Sequence, residues 1–262
     1  MKRWKLPAIV LWVVLFSCTT SRPLHKVDQG TPTKGVYCDT LALEVVKDKL
    51  IMPVMIGGKK RKFIFDTGAL TVISESLYQE MEYPATGRGH FYDIHSNRDT
   101  SLVVKIDTLK LGRVGFRHVP ALVYDLNKLP WSCFDIDGII GSNLLGGSVV
   151  QIDLQDSLLV LASSAKQMNQ NMNRSHKMRL DRQSAPYLQV RFDKMHSGYF
   201  LFDSGREGFV HIDKARFSSL NQSLNMQMKQ KGRGSDEMGL IDAGDNQAVY
   251  RVVTDSFMLA GH

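Results

Sequence analysis

The sequence lacks the patterns on which many hydrolytic and binding chemistries rest. Its eight histidines are scattered without a His-Glu-x-x-His, and its three cysteines have no paired spacing, so neither a metal site nor a cofactor is expected. No Gly-x-Ser-x-Gly elbow precedes a helix, and no phosphate-cradling Gly-Lys-Ser/Thr loop occurs, which argues against the common serine hydrolase and nucleotide-binding designs. Basic residues are not interleaved with aromatics in any run; solvated lysines and arginines, not a nucleic-acid surface, explain them. With 43% apolar and 23% charged residues, the 262-residue chain has the makings of a folded globular protein of one large domain or two modest ones.

Long apolar runs are also missing. The segment Leu6 to Phe16, preceded by Lys2, Arg3 and Lys5, is too brief to span a bilayer and reads as an export signal over residues 1–18. Leu15-Phe16-Ser17-Cys18 resembles a lipobox, with Cys18 receiving lipid; a plain signal peptide with a chance cysteine is the alternative. The lipidated protein would sit on a membrane surface, periplasmic or at the cell surface, with its folded part in water. Residues 19–39, with Ser21, Pro23, Gly30 and Pro32, read as a solvated tether. Cys38 and Cys133 could pair in an oxidising compartment or remain as free buried thiols. The net charge of +7 includes three residues of the leader, leaving a mildly basic mature chain.

What is present is a repeat. Leu41 to Val46 and Leu50 to Ile56 flank Lys47-Asp48-Lys49 as a hairpin would. Gly57-Gly58 makes a second turn, and Phe63-Ile64-Phe65 reads as a strand buried on both faces, ending at Asp66-Thr67-Gly68-Ala69. Leu70 to Ile73 is apolar again, and Ser74 with Glu75 opens a short helix through Leu77, Tyr78 and Met81. The same plan returns in Tyr187 to Phe192, a turn around His196-Ser197-Gly198, then Tyr199-Phe200-Leu201-Phe202-Asp203-Ser204-Gly205. Phe209 to Ile212 parallels Leu70 to Ile73, Asp213 to Phe217 parallels the helix start, and Ile106 to Gly112 matches Thr254 to Ala260.

Two units follow, residues 40–165 and 183–262, joined by a polar linker at 166–182 without a period of 2 or 3.6. A polar insertion, Ser218 to Gly234, interrupts the second unit, and Gly239 to Asn246 stands where the first has a turn-rich hairpin, Gly87 to Arg98. In the first unit Gly138-Ile139-Ile140-Gly141 is a buried strand running into a short helix. A second version is expected about forty residues after Leu259 by the repeat; the text stops at His262, so the second unit is either abbreviated or cut short.

Together these residues resemble the retropepsin-like and pepsin-like aspartic peptidases, in particular bacterial lipoproteins with two such units on one chain. A lone Asp-Thr/Ser-Gly would arise by chance about 0.1 times in such a length; two, each after an apolar strand inside a repeat, are specific. The resemblance implies a mainly β protein of two retropepsin-like lobes with a cleft between them, the second apparently truncated, that hydrolyses peptide bonds with Asp66 and Asp203. Two carboxylates a few Å apart cannot both ionise cheaply, so the pair shares a proton and acts as base and acid on one water. Gly68 and Gly205 let backbone N–H groups approach the carboxylates. The resemblance further implies that Thr67 and Ser204 hydrogen-bond across the lobes and that Gly138 to Gly141 support the loop.

Position four divides the copies. Ala69 fits the family and Arg206 does not; its guanidinium either folds toward Asp203, favouring the ionised form, or points to solvent or Glu207. Tyr92, with His90 and Phe91, is the expected tip of a flap that covers the substrate. The partner is then a peptide or protein substrate, and the chain works as a monomer more readily than as a homodimer. A peptide-binding protein without turnover, and a homodimeric peptidase using only its first unit, are the alternatives.

Overall fold

The computed structural model describes residues 29–92, 98–168, 177–206, 212, 214–224, 227–234, 247–253 and 258–259. The leader, Cys18, and the stretches 207–211 and 235–246 lie outside these. The described chain is mainly β. In order the first unit runs β1 (Thr31–Pro32), β2 (Cys38–Ala42), β3 (Glu44–Val46), β4 (Lys49–Ile56), β5 (Lys59–Asp66), β6 (Val72–Ser74), α1 (Glu75–Met81), β7 (Ala85–Tyr92), β8 (Arg98–Leu111), β9 (Val114–Tyr124), β10 (Gly138–Gly141), α2 (Ser142–Leu145), β11 (Val149–Asp153) and β12 (Leu158–Ala162).

Turn chemistry fixes the hairpins. Lys47 and Asp48, then Gly57 and Gly58, take positive φ, and these two-residue turns match the twist of the strands they join. Strands β9, β6, β10, β5, β4 and β8 pair in succession, and β8 pairs back onto β9, so the sheet closes on itself. Phe63, Phe65, Phe116, Ile106 and Leu109 lie fully buried inside. Strand β10 runs parallel to β5, with Gly141 beside Asp66, and antiparallel to β6; the strand that ends at Asp66 is thereby held on both sides, by β4 and β10. A separate sheet orders β11-β12-β2.

The described part of the second unit repeats some of the frame. It contains β13 (Arg179–Leu180), β14 (Pro186–Arg191), β15 (Ser197–Leu201), α3 (Lys214–Leu224), β16 (Gln227–Gly234), β17 (Gln247–Val253) and β18 (Met258–Leu259). In the first unit Ile51 faces Ile64 and Val54 faces Leu111; in the second Tyr187 faces Leu201 and Val190 faces Leu259. The hairpin pairing recurs at the repeat distance, and the third strand comes later than that distance would place it. Their environments differ, because Phe63 to Phe65 are fully buried while Tyr199 to Leu201 remain partly exposed.

Four expectations need correction. The tether does not reach residue 39: Thr31 and Pro32 pair with β9, and Thr33 N donates to Gly115 O at 2.8 Å, an edge position that tolerates proline. The linker is shorter than 166–182, since Ala165–Gln167 form a capped 3-10 turn and Arg179–Leu180 already pair with β14. Ser218 to Gly234 is not an insertion; its described residues form the end of α3 and strand β16, which pairs with β17 as β7 pairs with β8. Cys38 and Cys133 are free, as one alternative had it, but both are exposed and not buried.

Candidate active site

Both acidic loops leave the ends of apolar strands and turn at once. Gly68 N and Ala69 N donate to Asp66 Oδ1 at 2.8 and 3.1 Å, and Gly205 N donates to Asp203 Oδ1 at 2.9 Å. Each aspartate therefore folds its own loop around one carboxylate oxygen. The two loops also interlock. Thr67 Oγ1 donates to Phe202 O at 2.6 Å and accepts from Ser204 N at 3.0 Å; Ser204 Oγ donates to Phe65 O at 3.1 Å and accepts from Thr67 N at 3.0 Å. Four bonds with pseudo-twofold symmetry cross between the units.

The glycines set how close the carboxylates come. A Cβ on Gly68 would lie 2.5 Å from Asp203 Oδ2, and one on Gly205 would lie within 2.8 Å of both Asp66 carboxyl oxygens, so each aspartate lies over the other loop's glycine. Only residues without a side chain allow this. Asp66 lies within hydrogen-bonding reach of Asp203, and its pKa is pushed up to about 8, first by burial, then by the neighbouring Asp203 charge, against the pull of the Gly68 and Ala69 N–H groups. Such a carboxyl holds a proton at neutral pH. A protonated acid beside a second carboxyl is the arrangement that can polarise a carbonyl while a water between them is deprotonated.

Support comes from below. Ser142 N donates to Ala69 O at 3.0 Å, and Gly141 N donates to Thr71 Oγ1 at 3.2 Å. A Cβ on Gly141 would meet Ala69 O at 2.5 Å. Gly138, Ile139 and Ile140 are buried beside β5. Asn143, which sequence reasoning passed over, accepts from Thr71 N and Thr71 Oγ1 at 2.8 Å each and donates to Pro120 O at 3.0 Å. An Asn two residues after the Gly-Ile-Ile-Gly strand was the available signal. Also missed were Lys49, whose Nζ donates to Gly205 O at 2.6 Å, and Gln183, whose Nε2 donates to Gly68 O at 3.4 Å.

Arg206 is half-buried, and its Nε and Nη2 atoms are enclosed, so its guanidinium is not turned to solvent. Tyr92 closes β7 opposite Arg98, at the end of a hairpin; its side chain and residues 93–97 lie outside the described residues. His90 Nδ1 pairs with Thr100 Oγ1 across that hairpin at 2.7 Å.

Residues 52–144 match a family model described as aspartyl protease. The crystal structure of a retropepsin-like aspartic protease from Rickettsia conorii is similar at 21% identity, covering 51% of this chain and 94% of that chain, with a TM-score of 0.34. No curated protein matches. The weight rests on the 52–144 match, which spans Asp66, the hairpin and the Gly138–Gly141 strand.

Proposed function

We propose, from the match of residues 52–144 to an aspartyl protease family model, that this chain hydrolyses peptide bonds at Asp66 and Asp203. The observation that carries the reading is the interlocked pair of loops, with each aspartate lying over the other's glycine. A water between the carboxyls gives a proton to the ionised member, and its oxygen bonds to the peptide carbon. The protonated member hydrogen-bonds the carbonyl oxygen. Collapse of the tetrahedral intermediate breaks the C–N bond as the nitrogen takes a proton from the pair. Thr67, Ser204, Gly138 to Gly141 and Asn143 orient the loops and touch no substrate.

The test is cleavage of a broad peptide library from acid to neutral pH by the full chain and by Asp66→Asn and Asp203→Asn. Each variant is expected to lose roughly a thousandfold or more, because one partner cannot do both proton transfers. An Asp203→Asn chain that is dimeric and fully active would instead favour a homodimer built on the first unit. A folded chain that binds peptides and cleaves none would favour the binding reading. Export and lipidation at Cys18 are part of the proposal, and mass analysis of the mature N-terminal peptide, with Cys18→Ala as control, decides them.

A further inference from the structure

The cross-unit bonds of Thr67 and Ser204 form an inner ring, and a second ring surrounds them. Lys49, the first residue of β4, is 2% exposed, and its ammonium donates to the carbonyl of Gly205 in the second unit's loop at 2.6 Å. Gln183, just before β14 in the second unit, answers it by donating to the carbonyl of Gly68 in the first unit's loop at 3.4 Å. Each unit thus reaches out one long side chain to the glycine carbonyl of the other's loop. One reaching group carries a positive charge and the other is neutral.

We propose that Lys49 is a positioning residue that also serves as the counter-charge of the carboxylate pair, with Gln183 its uncharged counterpart on the opposite loop. This rests on the peptidase reading only for its effect on turnover. The active pair, sharing one proton, carries one negative charge, and enclosing it away from water is costly without a nearby cation. Gly205 separates Lys49 Nζ from the carboxyls: its carbonyl takes the ammonium, and its missing Cβ makes room for Asp66. One residue's span puts charge and counter-charge within about 9 Å, near the Debye length of roughly 8 Å and behind buried protein that weakens screening. Among the described residues, the charged groups at this end of the strands include Lys47, Asp48 and Lys49 at the start of β4, Asp66 at the end of β5, and Asp203 and Arg206 on the second loop. The turn Lys47-Asp48, with both residues at positive φ, delivers Lys49 to that place.

A nearby cation favours the more ionised forms of the pair, so it lowers both limbs of the pH profile of kcat/KM. Lys49→Met is expected to raise both limbs by roughly half a unit or more. Lys49→Arg should leave them in place whatever its rate, and Gln183→Lys should lower them. The same titrations are followed in the full chain by the carboxyl carbon signals of labelled aspartate, which need no turnover. A Lys49→Met chain that loses rate at every pH with its limbs and carboxyl titration unmoved would reduce Lys49 to a strut and overturn the proposal. Should Lys49→Met fail to fold, an unmoved titration in Gln183→Lys overturns it. If the wild-type chain cleaves no peptide, the peptidase reading fails, while the carboxyl titration still decides the role of Lys49.

Discussion

Asp66 owes its character to opposing neighbours: burial and Asp203 raise its pKa, and two backbone N–H groups lower it, with the balance near 8 against an ordinary 3.8. The unfolded chain ionises Asp66 near pH 4 while the folded chain keeps its proton to about pH 8, so this residue's contribution is full below pH 4 and is lost as pH rises to 8. Asp66→Asn is therefore expected to gain stability over wild type by on the order of a few kcal/mol more at pH 8 than at pH 4, measured by urea unfolding at both. Arg206 poses the opposite question. With its guanidinium turned inward, Arg206→Ala is expected to raise the acid limb of activity by some tenths of a unit or more, and an unmoved limb would separate Arg206 from the pair. That the two acidic loops would meet was legible from their motifs and their spacing. Lys49 and Gln183 were not, because a lysine at a hairpin start and a glutamine in a polar stretch ordinarily face water, and their partners lie in the opposite unit.

The elements around the loops show why local signals succeeded where they did. Ser74 caps α1 by accepting from Leu77 N at 3.1 Å, a pattern that its hydroxyl and the following apolar spacing announce. Ser74→Ala should cost about 1 kcal/mol in denaturant unfolding. Gly141 is tied to its place by the Leu70–Thr71 backbone, not by its own conformation, since a Cβ would meet Ala69 O at 2.5 Å. Gly141→Ala is expected to displace the Asp66 loop and cost roughly 3 kcal/mol or more, seen as a lowered Tm together with lost cleavage. The polar stretch from Ser218 misled because it has no strong apolar stripe. Helix α3 is nevertheless formed there, with Leu220 buried, and β16 finds its partner in β17, so tertiary pairing overrides weak local preference.

Across the molecule, the two units meet through polar bonds centred on the acidic loops. Thr67 Oγ1 and Ser204 Oγ each both donate and accept across the boundary, so replacing either with alanine strands backbone groups at a cost of roughly 1–3 kcal/mol each. A Thr67→Ala, Ser204→Ala chain is expected to unfold in two calorimetric transitions, the better-buried first unit melting last; a single unshifted transition would mean the units are joined elsewhere. The sequence by itself determined the strands on either side of Asp66, their turns and the two acidic motifs, because these depend on side-chain period and on residues tolerant of positive φ. Only the tertiary structure decided that the closed sheet holds Asp66 between β4 and β10, that residues 29–33 belong to the fold, and that each glycine carbonyl is taken by a side chain from the other unit. Those depend on which surfaces face each other across 137 residues of chain, and no local pattern encodes that meeting.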